Sequence, residues 1–181
     1  MRLFIGVNIN SRSKNLIEKK LEILKNEYND DFKWVKKENW HLTLKFIGNA
    51  LDREKQNLIR VLKNIEINCT DKYLQFNKVD AFPSLNKAEV IYLSLAQGRP
   101  LLKKLHQKLE EELIKYDFER DKREFIPHLT LGRSKNEALK IKKRFRTDNF
   151  INIYGKIESV SLYKSELKAS GPEYIELFSI K

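Results

Sequence analysis

Two copies of one tetrapeptide carry the residues best suited to chemistry. Residues 41–44 and residues 128–131 both read His-Leu-Thr-Leu, and together they use two of the chain's three histidines. Histidine can hold or release a proton near neutral pH, and a threonine hydroxyl can donate a hydrogen bond to an anionic oxygen. A repeated histidine beside a repeated hydroxyl therefore indicates paired acid–base chemistry on an anion.

Strand geometry would bring the polar side chains of each tetrapeptide together. Side chains alternate between the two faces of a strand, so His41 shares a face with Thr43, and His128 shares a face with Thr130. Two such strands facing each other form a cleft. One neutral histidine can deprotonate a water and one protonated histidine can donate to a leaving alkoxide, while the hydroxyls hold the non-bridging oxygens. This set predicts hydrolysis of a phosphodiester without a metal.

Motifs for metals and cofactors do not occur in the sequence. It contains no His-x-His, no His-Glu-x-x-His and no cysteine cluster, and its single cysteine is Cys69. It also lacks a glycine-rich phosphate loop, which disfavours an ATP-dependent ligase. We therefore predict neither a metal nor a cofactor. The third histidine, His106, lies among leucines at helical spacing, and we expect it to have a structural or surface role.

Basic residues follow both tetrapeptides. Alternation puts Lys45 on the face of His41, where it could contact a substrate phosphate or simply reach solvent. Strict alternation puts Arg133 on the face opposite His128, unless Gly132 permits a β-bulge that turns its side chain. Arg133 is thus either a substrate-binding residue or a structural partner of a carboxylate.

Aromatic residues flank both tetrapeptides. Phe46 is the candidate for stacking on a terminal base, because single-stranded RNA is commonly held on aromatic rings. Core packing is the alternative for this residue and the expected role for most of the others, which are Trp34, Trp40 and Phe125.

The chain is strongly basic, with a formal net charge of +11 and a pI of about 9.6. Such charge indicates a polyanionic partner, of which nucleic acid is the commonest. A basic run within residues 136–146 can either bind an RNA backbone or form the solvated face of a short helix. Its charged members are Lys140, Lys142, Lys143, Arg144 and Arg146.

Helix and strand patterns interleave along the 181 residues. Apolar periodicity predicts helices over residues 11–28, from residue 52 onward, and over residues 100–116. Strand patterns occupy residues 2–8, 32–35, 40–47, 73–82, 89–96, 128–134, 151–164 and 174–180. Hairpin-like pairs favour an α+β fold with antiparallel sheets.

The 87-residue spacing of the two tetrapeptides is close to half the chain. We therefore predict one bilobal domain over residues 1–181, duplicated, with two antiparallel sheets flanked by helices around a central cleft. No stretch approaches the ~18 apolar residues of a membrane helix, and the lone Cys69 cannot form an internal disulfide. These observations predict a cytoplasmic protein without a membrane partner. The absence of heptads disfavours a coiled-coil dimer, and we expect a monomer.

The motifs, with their flanks, resemble those of a known family. The segments that carry the resemblance are Arg-Leu-Phe-Ile at 2–5, Glu-Asn-Trp-His-Leu-Thr-Leu-Lys-Phe-Ile-Gly at 38–48, Phe-Ile-Pro-His-Leu-Thr-Leu-Gly-Arg at 125–133, Leu-Tyr-Lys-Ser-Glu-Leu at 162–167 and Gly-Pro-Glu-Tyr at 171–174. They resemble the 2H phosphoesterase superfamily, and within it the RNA 2′,3′-cyclic phosphodiesterases, also called 2′–5′ RNA ligases.

The resemblance implies hydrolysis of an RNA 2′,3′-cyclic phosphate to a 2′-phosphate, with the 3′ oxygen leaving. By this analogy His41 is the proton donor and His128 the proton acceptor, although the residues themselves do not orient the pair. Their roles would exchange in a reverse, ligation direction. The implied partner is RNA ending in a 2′,3′-cyclic phosphate, such as a tRNA fragment. Two alternatives stay open: a non-catalytic module that binds RNA ends or nucleotides, and a phosphodiesterase acting on small cyclic nucleotides.

Overall fold

A computed structural model describes residues 1–65, 72–148, 150–168 and 171–181. In this part of the chain the helices are α1 (Ser11–Glu27), α2 (Asp52–Asn64) and α3 (Arg99–Ile114). The strands are β1 (Arg2–Ile9), β2 (Phe32–Trp34), β3 (Leu42–Asn49), β4 (Tyr73–Ser84), β5 (Lys87–Gln97), β6 (Leu129–Ser134), β7 (Ile153–Lys168) and β8 (Gly171–Ile180). Single 3₁₀ turns occupy Lys37–Asn39 and Lys143–Phe145.

The described strands pair only antiparallel, in the order β2-β6-β5-β4-β7-β1-β3, with β8 also paired to β7. This confirms the predicted α+β class with antiparallel pairing. The predicted division into two sheets is not confirmed, because the described strands connect into one eight-stranded order. The reason is the length of β7, whose residues 153–156 pair with β4 while its later residues pair with β1 and β8. The duplication into two lobes stays a prediction.

The helices begin and pack as their sequences indicate. The Asn10 side chain caps α1 by accepting a hydrogen bond from the Ser13 backbone N–H at 2.9 Å. Helix α3 has Pro100 in its first turn, where the missing N–H costs little. Each helix buries a stripe of apolar residues three to four positions apart: Ile17, Leu21 and Leu24 in α1, Leu58, Val61 and Leu62 in α2, and Leu102, Leu105, Leu109 and Leu113 in α3.

The predicted short helix over residues 136–146 is wrong. Within it only the 3₁₀ turn Lys143–Phe145 is helical. Leu139 forms an isolated β-bridge with Ala88, and the Ile141 N–H donates to the Leu85 carbonyl at 2.9 Å. These long-range backbone hydrogen bonds hold the segment extended, so tertiary pairing overrides the helical pattern of its side chains.

Two other predictions concern Cys69 and the membrane. Cys69 lies outside the described residues. Among the described helices none is both long enough and apolar enough to span a membrane.

Candidate active site

The two tetrapeptide histidines are held by the same backbone contact. The Nδ1 atom of His41 lies 2.7 Å from the carbonyl oxygen of Asn39, and Nδ1 of His128 lies 2.7 Å from the carbonyl oxygen of Ile126. A carbonyl only accepts hydrogen bonds, so Nδ1 carries the proton in both rings. Each neutral imidazole therefore keeps Nε2 available to accept or pass a proton. The acceptor is the residue two positions before the histidine in both cases.

His41 fits closely among aromatic rings. Its ring centroid lies 4.6 Å from that of Phe4 and 5.2 Å from that of Tyr174. Gly6 makes room for the imidazole, since a Cβ at that position would lie 3.0 Å from His41 Cδ2. On the other edge of the ring, Nε2 lies 3.0 Å from the Thr43 Oγ1 atom. The predicted His–Thr pairing on one strand face is therefore present in this copy.

His128 is held in a similar aromatic setting. Its ring centroid lies 5.1 Å from that of Phe82 in an edge contact and 5.0 Å from that of Tyr92. Burial, with the charge of Asp80 adding to it, raises the pKa of Tyr92 to about 12. The Tyr92 hydroxyl is therefore neutral throughout the physiological range, and its ring packs against His128.

Burial favours the neutral form of both histidines. It lowers the pKa of His41 to about 4, and the positive charges of Lys14 and His128 lower it further against the raising effect of the Asn39 carbonyl. Burial also lowers the pKa of His128, with Arg133 contributing. Because the charge of His128 acts on His41, a proton on one ring opposes a proton on the other.

Both tetrapeptides contain a β-bulge at the same position. Along β3, Thr43 pairs with Gly6 and Lys45 with Ile5, which leaves Leu44 as the extra residue. Along β6, Thr130 pairs with Tyr92 and Gly132 with Ile91, which leaves Leu131 as the extra residue. A bulge of one residue reverses which face the following side chains occupy. The residues that follow each tetrapeptide therefore lie on the faces opposite to those given by strict alternation.

The bulge turns Lys45 away from the histidines. Its side chain is only 4% exposed, and Nζ lies 2.7 Å from Glu110 Oε1 and 3.0 Å from Asp121 Oδ1. It also donates to the Glu119 carbonyl at 2.8 Å. Both sequence-based alternatives for Lys45, a phosphate contact and a solvent-exposed side chain, are therefore wrong. Its three N–H donors are all used inside the protein.

The same bulges turn Phe46 and Arg133 toward the face that carries Thr43 and Thr130. Both line a cleft of about 560 Å³ together with His41, Thr43 and Thr130. The bulge predicted as one option at Gly132 is thus confirmed, and strict alternation is wrong for Arg133. The two copies differ at this position, since the first presents an aromatic ring to the cleft and the second a guanidinium.

Sequence reasoning missed other residues of the cleft wall. They are Arg2, Phe4, Lys33, Val35, Lys36, Asn39, Ser165, Leu167, Gly171, Pro172 and Tyr174. Eight of these residues lie in segments that carry the family resemblance, and that resemblance is the one feature of the sequence that marks them. The segments are residues 2–5, 38–48, 162–167 and 171–174. Nothing in the local sequence marks Lys33 or Lys36.

The other flanking aromatics divide between cleft and core. Trp34 lines the cleft. Trp40 is buried, and its indole N–H donates to the Val35 carbonyl at 3.2 Å. Phe125 stacks on His106 with ring centroids 4.2 Å apart. Core packing is therefore confirmed for Trp40, and His106 has the structural contact that its position in α3 predicts.

The basic run has mostly structural contacts. Lys142 and Arg144 both pair with Glu27. The Arg146 guanidinium donates to the carbonyls of Ile141 and Leu85. These side chains hold the extended segment against α1 and the β4–β5 turn, so the predicted helix face does not describe them, and RNA binding by this run stays a prediction.

The described residues contain one group with metal-ligating atoms close together, namely His106, Glu110 and Asp121, whose ligand atoms lie within 4.8 Å of one another. The Lys45 ammonium pairs with both carboxylates of this group. The Lys45 ammonium is thus the cation of this group, and the group forms an ion-pair network beneath β3.

Known proteins are similar to this chain in both sequence and fold. A family model of the 2′-5′ RNA ligase superfamily matches residues 17–169. A Methanocaldococcus jannaschii protein named RNA 2′,3′-cyclic phosphodiesterase is 31% identical over 177 residues, covering 96% of this chain and 96% of that protein. A Thermotoga maritima protein of the same name is 29% identical over 192 residues, covering 98% and 94%.

Solved structures show the same fold at lower identity. The Thermus thermophilus protein TT0787 superposes with a TM-score of 0.80 at 21% identity, covering 99% of this chain and 96% of that chain. Escherichia coli LigT complexed with 3′-AMP gives a TM-score of 0.78 at 20% identity, with the same coverage. Given a family match over most of its length, this chain belongs to the 2′-5′ RNA ligase superfamily.

Proposed function

We propose that this protein hydrolyses the 2′,3′-cyclic phosphate at the end of an RNA to a 2′-phosphate, with His41 and His128 transferring the protons. One observation carries the proposal: two imidazoles have the same Nδ1 contact, 2.7 Å from a backbone carbonyl, and His41 lines a cleft together with both motif threonines. The relatives named RNA 2′,3′-cyclic phosphodiesterase support this substrate.

In the proposed reaction a water attacks the phosphorus and the bond from phosphorus to the 3′ oxygen breaks. His128 accepts a proton from the water at Nε2, and His41 donates a proton from Nε2 to the departing 3′ oxygen. The products are a 2′-phosphate and a free 3′ hydroxyl. In ligation the 5′ hydroxyl of a second RNA would attack in place of water, the same bond from phosphorus to the 3′ oxygen would break with the same histidine roles, and a 2′–5′ linkage would form. The reverse of that step, attack of the 3′ hydroxyl on the linkage with the 5′ oxygen leaving, would exchange the roles of the histidines.

The low pKa of His41 constrains when it acquires its proton. At neutral pH the unliganded ring is neutral, because its pKa lies at about 4. A phosphate anion beside the ring favours the imidazolium, so His41 becomes a competent donor as the substrate binds. His128 meanwhile remains neutral, which is the form that a general base needs.

Charge in the transition state has two sets of partners in the cleft. The hydroxyls of Thr43 and Thr130 can donate to the non-bridging oxygens. The Arg133 guanidinium presents a planar fork of donors that matches phosphate geometry. Phe46 offers a half-exposed ring to the terminal base.

The direct test uses an RNA that ends in a 2′,3′-cyclic phosphate, incubated with the purified protein and EDTA. We expect a 2′-phosphate product, and we expect His41→Ala and His128→Ala each to lower kcat by at least about 1,000-fold. Absence of product from the wild-type protein would refute the proposal. Tight binding of this RNA without turnover would instead indicate a non-catalytic module for RNA ends, and faster turnover of small cyclic nucleotides would indicate a nucleotide phosphodiesterase.

A further inference from the structure

The cleft wall has an unbalanced positive charge. Four of its residues are Lys or Arg, namely Arg2, Lys33, Lys36 and Arg133, whereas no Asp or Glu of the described residues lines the cleft. None of the four makes an ion pair with a residue in the described ranges. By contrast, the neighbouring Lys37 is paired with Glu18 at 2.6 Å. The described part of the cleft therefore contains no negative side chain to balance these four cations. An anionic ligand can supply the missing negative charge.

Two of these cations face each other across a pair of strands. Lys33 of β2 lies directly opposite Arg133 of β6 in the antiparallel register. Side chains in such positions stand about 5 Å apart at Cβ, and like charges placed there destabilise the sheet. An anion between them would remove this repulsion. The reacting phosphate is sufficient to neutralise Arg133. The proposed hydrolysis assigns no partner to the charge of Lys33.

The position of Lys33 is farther out in the sheet than the catalytic motif. β2 is the edge strand beside β6, and Lys33 extends toward the start of β8, where its Cε would lie 3.9 Å from a Cβ placed on Gly171. Lys36, three residues later, also lines the cleft and, like Lys33, is exposed. A chain of phosphates leaving the histidines past Arg133 would therefore meet these two lysines next.

We propose that Lys33, assisted by Lys36, forms a subsite for the phosphodiester that joins the terminal nucleotide to its 5′ neighbour. The substrate class is then an oligonucleotide end rather than a cyclic mononucleotide. This inference rests on the proposed function for the identity of the reacting phosphate. Both lysines act as point charges that attract the second phosphate, and neither takes part in bond making or breaking.

Two substrates and three variants test the subsite. Adenosine 2′,3′-cyclic phosphate has no second phosphate, whereas the dinucleotide ApA ending in a 2′,3′-cyclic phosphate has one. We expect Lys33→Met to lower kcat/KM about 10-fold for the dinucleotide and less than about 2-fold for the mononucleotide. Lys33→Arg keeps the charge and should retain most of the dinucleotide rate. Lys104→Met removes an exposed lysine of α3 and should change neither.

Two results would overturn the subsite. An equal loss for both substrates would place Lys33 at the reacting phosphate, and no loss for either would remove it from binding. If the wild-type protein hydrolyses neither substrate, the proposed function fails on its own. Calorimetry with adenosine 2′-phosphate and with ApA 2′-phosphate then decides the subsite: a roughly 10-fold weaker Kd of Lys33→Met for the dinucleotide alone supports it, and unchanged Kd values refute it.

Discussion

The Nζ atom of Lys45 lies 2.7 Å from the Oε1 atom of Glu110, with both side chains at least nine-tenths buried. This contact joins β3, which carries the first tetrapeptide, to α3. The same ammonium binds the Glu119 carbonyl and the Asp121 carboxylate, which belong to the segment of residues 115–128 that has no helix or strand. That segment ends at His128. Lys45, on the strand of the first tetrapeptide, therefore anchors the segment that leads into the second tetrapeptide.

Lys45→Met should destabilise the protein by about 3 kcal/mol, because it leaves the buried Glu110 carboxylate without its ammonium partner. Urea unfolding measures the change. Adding Glu110→Gln to the variant should recover part of the loss, since it removes the orphaned charge. Lys55→Met is the matched control: it breaks an exposed pair with Asp52 and should cost less than about 0.5 kcal/mol. Equal effects of Lys45→Met and Lys55→Met would contradict the role of the buried pair.

Hydrogen exchange gives Lys45→Met a second readout. Amide protons in residues 115–128 should exchange faster in the variant, because the Glu119 carbonyl and the Asp121 side chain lose their anchor. Amides of α1, whose residues form none of these Lys45 contacts, serve as the internal reference. A uniform increase over the whole chain would show that the substitution lowers global stability without a specific effect on this segment.

The imidazole of His41 should titrate with a pKa of about 4 in the unliganded protein. NMR of histidine-labelled protein measures this directly, since the chain has only three histidines to assign. Saturation with adenosine 2′-phosphate should raise the pKa of His41 by at least about one unit, because the phosphate anion favours the imidazolium. A His41 ring already protonated at about pH 6, or one unaffected by the nucleotide, would contradict the proposed donor role.

Folding stability should fall as the pH drops from about 6.5 toward 4. The pKa of His41 is lowered by folding, so the unfolded chain binds more protons in this window. The stabilisation is fully present above the unfolded pKa of about 6.5 and is lost as the pH falls toward the folded value, by up to about 3 kcal/mol for this group. The lowered pKa of His128 acts in the same direction. Urea unfolding of wild type and His41→Gln at several pH values between about 7 and 5 isolates the contribution, and parallel pH curves would refute it.

Thr43→Val should lower kcat by about 100-fold, the typical cost of losing one hydrogen-bond donor to a developing oxyanion. Valine keeps the branched shape that suits a strand and removes the hydroxyl that lies 3.0 Å from His41 Nε2. Thr43→Ser keeps the hydroxyl and should remain within about 3-fold of the wild type. If both variants lose activity equally, the methyl group and not the hydroxyl is what the site requires.

The sequence by itself determined the chemical groups and most of the elements. The repeated His-x-Thr spacing identified His41 with Thr43, and strand alternation placed the two side chains on one face, where His41 Nε2 lies 3.0 Å from Thr43 Oγ1. The apolar stripes predicted α1, α2 and α3 because a helix buries one face whatever its partner. These features depend on neighbours two to four positions away, and a local pattern records such neighbours directly.

Only the tertiary structure decided which way the flanking residues face. The bulges at Leu44 and Leu131 arise from the register between strands that are distant in the sequence, and they send Lys45 inward and turn Arg133 toward the cleft. Backbone pairing with Ala88 and Leu85 likewise holds residues 136–146 out of a helix. The opposition of Lys33 and Arg133 has the same origin. Register depends on the packing of the whole sheet, because shifting a strand by one residue exchanges its two faces, and no local pattern contains that information.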